Sequence, residues 1–199
     1  MTLKASSLLT LLFTSTLMAC AMDPADGTDD DDQATSTDTA ELTASNPAPF
    51  DLHCLWAGES YASRAPNQYA AQAIRNACDI QASLIPYHAP GMYPLQNRPP
   101  TAAEGIDCSG LTSNVWYRAT STWTRLPHSA AMQEATLRHI GWGELLPGDL
   151  LFYVSSAAAS GRHVAMYLGD SLMIEAASST RGVVVSPVRY NVSSIGRIW

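Results

Sequence analysis

The sequence predicts an α+β fold, because helical patterns occupy the first half of its folded part and short apolar strands occupy the second half. The stretch from Pro66 to Leu84 has the three- and four-residue spacing of a helix with one buried face, formed by Tyr69, Ala73, Ala77 and Ile80. After residue 150 the apolar runs are short, and two of them flank Gly169-Asp170-Ser171, a hairpin signal. We therefore expect helices first and an antiparallel sheet after them, within one unit over residues 50–199.

The first 21 residues predict an export signal. One positive charge, Lys4, precedes a mostly apolar run from Leu8 to Ala19, which is shorter than the roughly 20 residues that a membrane span needs. The segment ending in Cys20 resembles a bacterial lipoprotein signal, in which this cysteine is lipidated, whereas Ala19-Cys20-Ala21 fits an ordinary signal peptidase site. We expect either a lipoprotein of the cell envelope, anchored through Cys20 on the periplasmic side of a membrane, or a secreted protein.

Residues 22–49 predict a disordered acidic tether. Their Asp and Glu residues lie among Ala, Thr and Ser, and such a composition buries too little apolar surface to offset the entropy of ordering. An acidic metal-binding run is the alternative, but the glycine and turn spacing of a calcium loop is missing. Eight of the 18 acidic residues fall in this tether and Lys4 lies in the signal, so the folded part carries equal numbers of acidic and basic residues. A neutral folded part gives no indication of nucleic acid as a partner.

Two cysteines, Cys54 and Cys78, remain once Cys20 is assigned to the signal and Cys108 to the motif described below. In an oxidising compartment they are free to pair. A disulfide between them stabilises the fold by about 3 kcal/mol in the chain-entropy model. The alternative is a pair of buried thiols.

A second helix is predicted from Asp107 onward, after a long loop over residues 85–106 that is rich in Pro, Gly and Tyr. Either Asp107 or Ser109 can cap its first amides. Cys108 then lies in the first turn, where the helix dipole favours a negative charge and therefore the reactive thiolate. Gly110 removes side-chain bulk where a substrate approaches, and the amide of Cys108 can stabilise an oxyanion. A small buried cysteine is the alternative interpretation of the same residues.

The second half of the folded part predicts strands at 150–154, 164–168, 172–176, 183–185 and 195–199. His163 stands at the start of an amphipathic strand, from which its ring can face the helix terminus and take a proton from Cys108. Glu175 lies across the predicted hairpin, and cross-strand neighbours are about 5 Å apart, so its carboxylate can orient the imidazole. A slip of one residue in register turns Glu175 to the other face.

These residues resemble the NlpC-type cell-wall cysteine peptidases, a family with a papain-like fold. The block Asp107–Leu111 resembles the nucleophile motif of the family, and His163–Gly169 resembles its base-bearing strand. Further blocks resemble its linking segments, namely Leu126-Pro127 with Gln133 and then Leu146–Leu150. The resemblance covers almost the whole folded unit and implies a central antiparallel sheet packed against an N-terminal helical part that carries the nucleophile.

By the same resemblance, the activity is hydrolysis of an amide bond in peptidoglycan stem peptides, often the bond between D-glutamate and a diamino acid. The catalytic residues are then Cys108, His163 and a polar third residue, which is Glu175 here and most often His in the family. The family also has a Tyr before the nucleophile whose hydroxyl assists the oxyanion site. Tyr87 is the best match for that residue, and Tyr93 is the competitor.

The chain also departs from the family pattern along the expected substrate groove. His88-Ala89-Pro90-Gly91 replaces an aromatic-Gly-Gly segment, the loop before the nucleophile is longer than usual, and His128 stands where the family commonly has Arg. The substrate specificity is therefore open. The candidates for oxyanion or substrate binding are Tyr87, Asp107, Ser109, Gly110 and His128.

Two alternatives within enzymes are an amidase that cuts the sugar–peptide junction and an acyl transferase that uses the same thioester. A catalytically inactive wall-binding lipoprotein is the alternative from another class. The expected chemistry requires no cofactor and no metal, and we expect a monomer whose partner is the peptide of peptidoglycan.

Overall fold

Helices and then an antiparallel sheet make up the computed structural model, which describes residues 53–88, 95–155 and 161–199, and the predicted α+β class is confirmed. The helices of this part are α1 (His53–Ser63), α2 (Gln68–Ala82), α3 (Cys108–Ala119) and α4 (Ala130–Thr136). The strands are β1 (Arg138–His139), β2 (Leu150–Val154), β3 (Arg162–Gly169), β4 (Leu172–Ser178), β5 (Gly182–Pro187) and β6 (Val192–Arg197). The predicted export signal, the predicted acidic tether and Cys20 lie outside the described residues.

The first two helices pack against each other and are joined by the expected disulfide between Cys54 and Cys78, whose Cα atoms are 4.9 Å apart. The sequence does not predict α1, because its apolar residues do not form one clear stripe. None of the helices in the described part of the chain has the length and apolar character that a membrane span requires.

The helix predicted at 66–84 begins at Gln68 because Asn67 caps it. The side-chain oxygen of Asn67 accepts hydrogen bonds from the amides of Tyr69 and Ala70, both at 2.9 Å. Tyr69, expected on the buried face, is 38% exposed at the first turn. The other residues of the predicted face are fully buried, namely Ala73, Ala77 and Ile80.

The third helix begins at Cys108 because Asp107 caps it. The backbone of Asp107 is extended, with φ −95° and ψ 179°, and its Oδ1 accepts a hydrogen bond from the Gly110 amide at 2.6 Å. α3 is buried along most of its length, since it packs on α2 and on β3 and β4. Its Trp116 stacks on Trp199, with ring centroids 5.5 Å apart.

The sheet has the strand order β1-β6-β2-β3-β4-β5, and all its neighbouring strands are antiparallel. Alternate residues of its central strands belong to two hydrophobic clusters, one on each face of the sheet. The cluster shared with the helices includes Leu150, Phe152, Val164, Met166 and Leu168. The cluster on the opposite face is formed by Leu151, Tyr153, Ala165, Met173 and Ile195. β2 is thus covered on both faces, which explains its unbroken apolar sequence.

The predicted hairpin between β3 and β4 is present. Gly169, Asp170 and Ser171 have positive φ values of 100°, 50° and 58°, so the chain reverses in the left-handed region that such tight turns use. The turn sets a register in which Met166 pairs with Ile174. This register positions the side chains of the candidate site.

The connection between α3 and β2 holds short elements that the sequence does not predict: α4, β1 and a 3-10 helix at Trp142–Glu144. Each is too short to display a hydrophobic period. β6 also runs from Val192 to Arg197 where 195–199 is predicted, because its ends are set by pairing with β2 and with β1. Arg138 of β1, for example, pairs with Arg197.

Candidate active site

Cys108 is the first residue of α3 and is buried, with 5% of its surface exposed. The amides at a helix start have no partner within the helix, and the helix dipole favours negative charge there. The structure therefore places the thiol where the sequence predicts it.

His163 and Glu175 are joined by a hydrogen bond of 2.6 Å between Nε2 and Oε2. When the register of β3 and β4 is continued, Glu175 stands opposite Ala165, two residues along the strand from His163 and on the same face. The two residues are therefore diagonal neighbours. Both side chains are largely shielded from water, with 12% of the histidine and 1% of the glutamate exposed.

Cys108 and Glu175 both raise the pKa of His163. Burial alone lowers the pKa of His163, but hydrogen bonding to Cys108 and Glu175, together with their negative charges, outweighs burial and raises the pKa to about 9. Since Nε2 is engaged by Glu175, Nδ1 is the ring nitrogen that remains for Cys108. The structure thus brings the three expected residues into one chain of contacts.

Glu175 has two further partners, Ser186 and Arg189, that the sequence does not predict. The Ser186 hydroxyl donates to Oε1 at 2.7 Å, while the Arg189 guanidinium donates to Oε1 at 2.8 Å and to Oε2 at 2.9 Å. Burial raises the pKa of Glu175, but the bonds from His163 and Arg189 prevail and lower it to about 2. The carboxylate is therefore charged and fixed in orientation at neutral pH.

The ring of Tyr153 completes the surroundings of this pair. The Arg189 guanidinium lies 4.3 Å from the centroid of the Tyr153 ring, a cation–π contact. The same ring is 6.3 Å from that of His163, its direct partner on β3. Burial raises the pKa of Tyr153 to about 12, so the phenol stays neutral. Arg189 is thus held between an aromatic face and a carboxylate.

Tyr87 lies beside the segment that leads into Cys108. It forms a parallel bridge with Ile106, supported by a 3.0 Å bond from the Ile106 amide to the Pro86 carbonyl. Burial, with smaller contributions from the charges of Cys108 and Asp107, raises the pKa of Tyr87 to about 12. The hydroxyl is therefore a neutral donor near the thiol. Its competitor Tyr93 lies outside the described residues.

Asp107, Ser109 and His128 form a second polar cluster at the same helix start. The Ser109 hydroxyl donates to Asp107 Oδ1 at 3.0 Å, and His128 Nε2 lies 3.3 Å from the same oxygen. Burial raises the pKa of Asp107, but these contacts and the Gly110 amide prevail and lower it. Of the two expected helix caps, Asp107 is the one used, since Ser109 bonds to it instead.

Gly110 packs closely against the residues around it, and its expected role of leaving space for substrate stays a prediction. A Cβ at this position lies 3.1 Å from both Asp107 Oδ1 and His128 Nε2, and 3.2 Å from Ile106 Cγ1. These contacts are tighter than a side chain normally accepts. The glycine therefore allows the capping carboxylate and His128 to approach the helix.

Gln133 of α4 connects the segment that carries His128 to α3, the helix of Cys108. Its Nε2 donates to the Ser109 carbonyl at 2.9 Å and to the Pro127 carbonyl at 2.8 Å. Its Oε1 accepts from the Thr112 hydroxyl at 2.8 Å. The amide is fully buried, so one side chain joins both walls at this end of the site.

Comparison with known sequences gives one family. The profile of the NlpC/P60 family matches residues 86–194. The peptidoglycan endopeptidase RipB of Mycobacterium tuberculosis is 40% identical over 85 residues, which make up 43% of this chain and 33% of RipB. The matched segment thus spans about a third of the length of that relative.

Comparison with solved structures gives the same fold. The NlpC/p60 domain of the peptidoglycan hydrolase SagA has a TM-score of 0.51 and 25% identity, covering 65% of this chain and 98% of that domain. The structure of RipB from Mycobacterium tuberculosis has a TM-score of 0.50 and 28% identity, covering 74% and 81% of the two chains. RipD from the same species, described as a non-catalytic NlpC/p60 domain protein adapted to peptidoglycan binding, has a TM-score of 0.50 and 26% identity, covering 67% and 99%.

Proposed function

Because the chain belongs to the NlpC/P60 family, we propose that it is a cysteine peptidase that hydrolyses an amide bond in the peptide stems of peptidoglycan. One observation carries the proposal: Cys108 at the head of α3 is linked through His163 to the buried carboxylate of Glu175. This is the arrangement of nucleophile, base and orienting group that acyl transfer needs. The names of RipB and SagA, a peptidoglycan endopeptidase and a peptidoglycan hydrolase, support the substrate class.

The reaction begins with a proton on His163 and a negative charge on Cys108. The raised pKa of His163 favours this pair, and the thiolate attacks the scissile carbonyl carbon. The oxyanion that forms is stabilised by the amide of Cys108 and by the neutral hydroxyl of Tyr87. Glu175 holds the imidazole in position and stabilises its positive charge.

The second half of the reaction returns the site to its starting state. His163 donates its proton to the leaving nitrogen, so that the C–N bond breaks and a thioester remains on Cys108. The neutral imidazole then takes a proton from a water molecule, whose oxygen attacks the thioester. The acid is released, the thiolate reforms, and His163 keeps the proton.

Within the stem peptide, the bond that the enzyme cleaves is the one between D-glutamate and a diamino acid. The enzyme acts in the cell envelope, outside the cytoplasm. The polar cluster of Asp107, Ser109 and His128 supports a contact with the substrate at the start of α3, beside Cys108. Since His128 stands where the family commonly has Arg, the length or charge of the preferred stem differs from that of an arginine-bearing relative.

The test is digestion of purified wall material followed by mass analysis of the released fragments. The wild-type protein should release stem peptides with a new carboxyl terminus at D-glutamate, and Cys108→Ala should release none while unfolding at the same temperature. Retained turnover in Cys108→Ala would refute the assignment of the nucleophile. Fragments cut at the sugar–peptide junction would instead identify an amidase, and products joined to an amine acceptor would identify a transferase.

The likeness to RipD favours one other function, wall binding without catalysis. The two functions differ in the state of the thiol. An activated Cys108 should react with iodoacetamide within minutes at pH 7, and His163→Ala should slow the reaction at least tenfold. A thiol that reacts equally slowly in both proteins, with wall binding retained, would identify the binding function.

A further inference from the structure

A cleft of about 270 Å³ opens beside His163. Its wall includes His163 and Glu175 but not Cys108. The rest of its polar lining comes from Ser155, Ser178, Arg181, Arg189 and Asn191. The imidazole is therefore shared between the thiol and this cleft.

The charge of the cleft is positive. Glu175 is the acidic residue of the described lining, and its two oxygens are already bound by His163, Ser186 and Arg189. Arg181 lies in the turn between β4 and β5 and is exposed. Within the described residues its guanidinium has no side-chain partner, although its amide donates to the Ser178 carbonyl at 3.1 Å. The lining of the cleft thus includes one cation, Arg181, without a side-chain partner among the described residues, and a second, Arg189, that Glu175 neutralises.

The position of the cleft relates it to one half of the substrate. This step rests on the proposed function, in which His163 gives its proton to the leaving nitrogen. The leaving nitrogen must then reach His163, and because His163 also lines the cleft, the atoms that follow this nitrogen can enter it. The acyl half of the substrate stays on the Cys108 side.

We propose that this cleft binds a carboxylate of the leaving group, with Arg181 as its principal ligand. A guanidinium is well suited to a carboxylate because its planar donors match the two oxygens. Arg189 adds positive charge, but its bonds to Glu175 leave it a supporting role. The enzyme therefore prefers stems in which this carboxylate is free over stems in which it is amidated.

Two groups of a stem peptide offer this chemistry on the leaving-group side. One is the second carboxylate of a diamino acid such as diaminopimelate, and the other is the terminal carboxylate of the stem. The experiment uses L-alanyl-γ-D-glutamyl-diaminopimelate with both carboxylates free, and two forms in which one or the other is a carboxamide. The carboxamide that lowers kcat/KM identifies the group that enters the cleft.

Arg181→Gln supplies the decisive comparison. The wild-type protein should cleave the free acid roughly three- to tenfold faster in kcat/KM than the critical carboxamide, as expected for one partly exposed ion pair. Arg181→Gln should cleave the two substrates at similar rates. Arg138→Gln removes the same charge from the exposed strand β1 and should keep the wild-type preference. An equal preference in wild type and Arg181→Gln would overturn the proposal.

A binding measurement separates this inference from the proposed function. Should the wild-type protein cleave none of the three peptides, the peptidase assignment fails, and calorimetry with free diaminopimelyl-D-alanine then tests the cleft alone. Binding that Arg181→Gln weakens roughly three- to tenfold would support the carboxylate site. Binding unaffected by Arg181→Gln, or no binding at millimolar concentration, would overturn it.

Discussion

Arg189 donates a hydrogen bond to each carboxylate oxygen of Glu175, and its two terminal nitrogens lie 2.8 Å from Oε1 and 2.9 Å from Oε2. The same carboxylate binds His163 at 2.6 Å. Arg189, which lies in the connection between β5 and β6, therefore holds the Glu175 carboxylate in place, and this carboxylate in turn holds the His163 imidazole. Arg189 is a positioning residue in this arrangement, since it acts on His163 through Glu175.

Replacing Arg189 by Met should destabilise the fold in a way that depends on pH. The pKa of Glu175 is about 2 in the fold against an ordinary 4.5, so its ionic contacts add stability above about pH 4.5 that is lost as the pH falls toward 2. Arg189→Met should lower the free energy of unfolding at pH 7 by about 1–3 kcal/mol, because the buried carboxylate loses two charged hydrogen bonds. The difference from wild type should shrink below pH 4. Arg138→Met is the exposed control, and an identical loss at pH 7 and pH 3 would contradict the ionic explanation.

Replacing Glu175 by Gln should move the alkaline limit of activity to lower pH. The pKa of His163 is raised to about 9 from an ordinary 6.5, partly by Glu175, and the proton that activity requires is lost as the pH rises through that value. The side-chain amide of glutamine has nearly the same shape as the Glu175 carboxylate but carries no charge. We expect the alkaline limb of kcat/KM to fall by roughly one pH unit or more, with kcat/KM at pH 7 reduced roughly tenfold to a hundredfold.

The alkaline limb is measured with a short stem peptide between pH 6 and pH 10. An unfolding curve of Glu175→Gln at each pH separates lost activity from lost fold, since Arg189 loses its partner in this variant. An unchanged alkaline limb would remove Glu175 from the role of stabilising the imidazolium.

Replacing Tyr87 by Phe removes one hydroxyl beside the thiol. Because burial keeps this phenol neutral, with its pKa raised to about 12, the hydroxyl can donate throughout the working pH range. Donation to an oxyanion acts on the transition state, so kcat should fall roughly tenfold to a hundredfold while KM changes little. Tyr69→Phe, at an exposed position on α2, is the matched control. A variant with normal kcat would show that another group serves the oxyanion.

Replacing Gly110 by Ala should weaken the start of the nucleophile helix. The added Cβ lies 3.1 Å from Asp107 Oδ1 and from His128 Nε2, so the capping carboxylate must move. Loss of a cap costs about 1 kcal/mol, and the thermal midpoint should drop together with the rate of Cys108 alkylation. Gly143→Ala is the control, because a Cβ there meets nothing within 4 Å. Full stability and full thiol reactivity in Gly110→Ala would show that the helix start tolerates the shift.

The part of the site that the sequence predicts is the part with local signals. Asp107 before an apolar helical period indicates a capped helix start, and His163 and Glu175 flank a recognisable hairpin. Once the hairpin register is known, the distance between the histidine and the glutamate follows from strand geometry. The position of Cys108 can be predicted from the start of the helix alone, and the capping residue Asp107 defines that start.

The other parts depend on contacts between distant segments. Ser186 and Arg189 reach Glu175 from the far end of β5 and the loop after it, and no spacing rule relates a loop arginine to a carboxylate on another strand. Ordinary exposed arginines look the same in sequence. The close packing of His128 against Gly110 has no local signal for a similar reason, because His128 comes from beyond α3.

The buried amide of Gln133 makes the loop at Pro127 and the helix of Cys108 parts of one rigid body. The main chain before His128 is therefore held beside the start of α3, where His128 Nε2 lies 3.3 Å from Asp107 Oδ1. Under the proposed function, selection among stem peptides at this wall would depend on which side chain occupies position 128, and a single exchange there would change it without remodelling the loop.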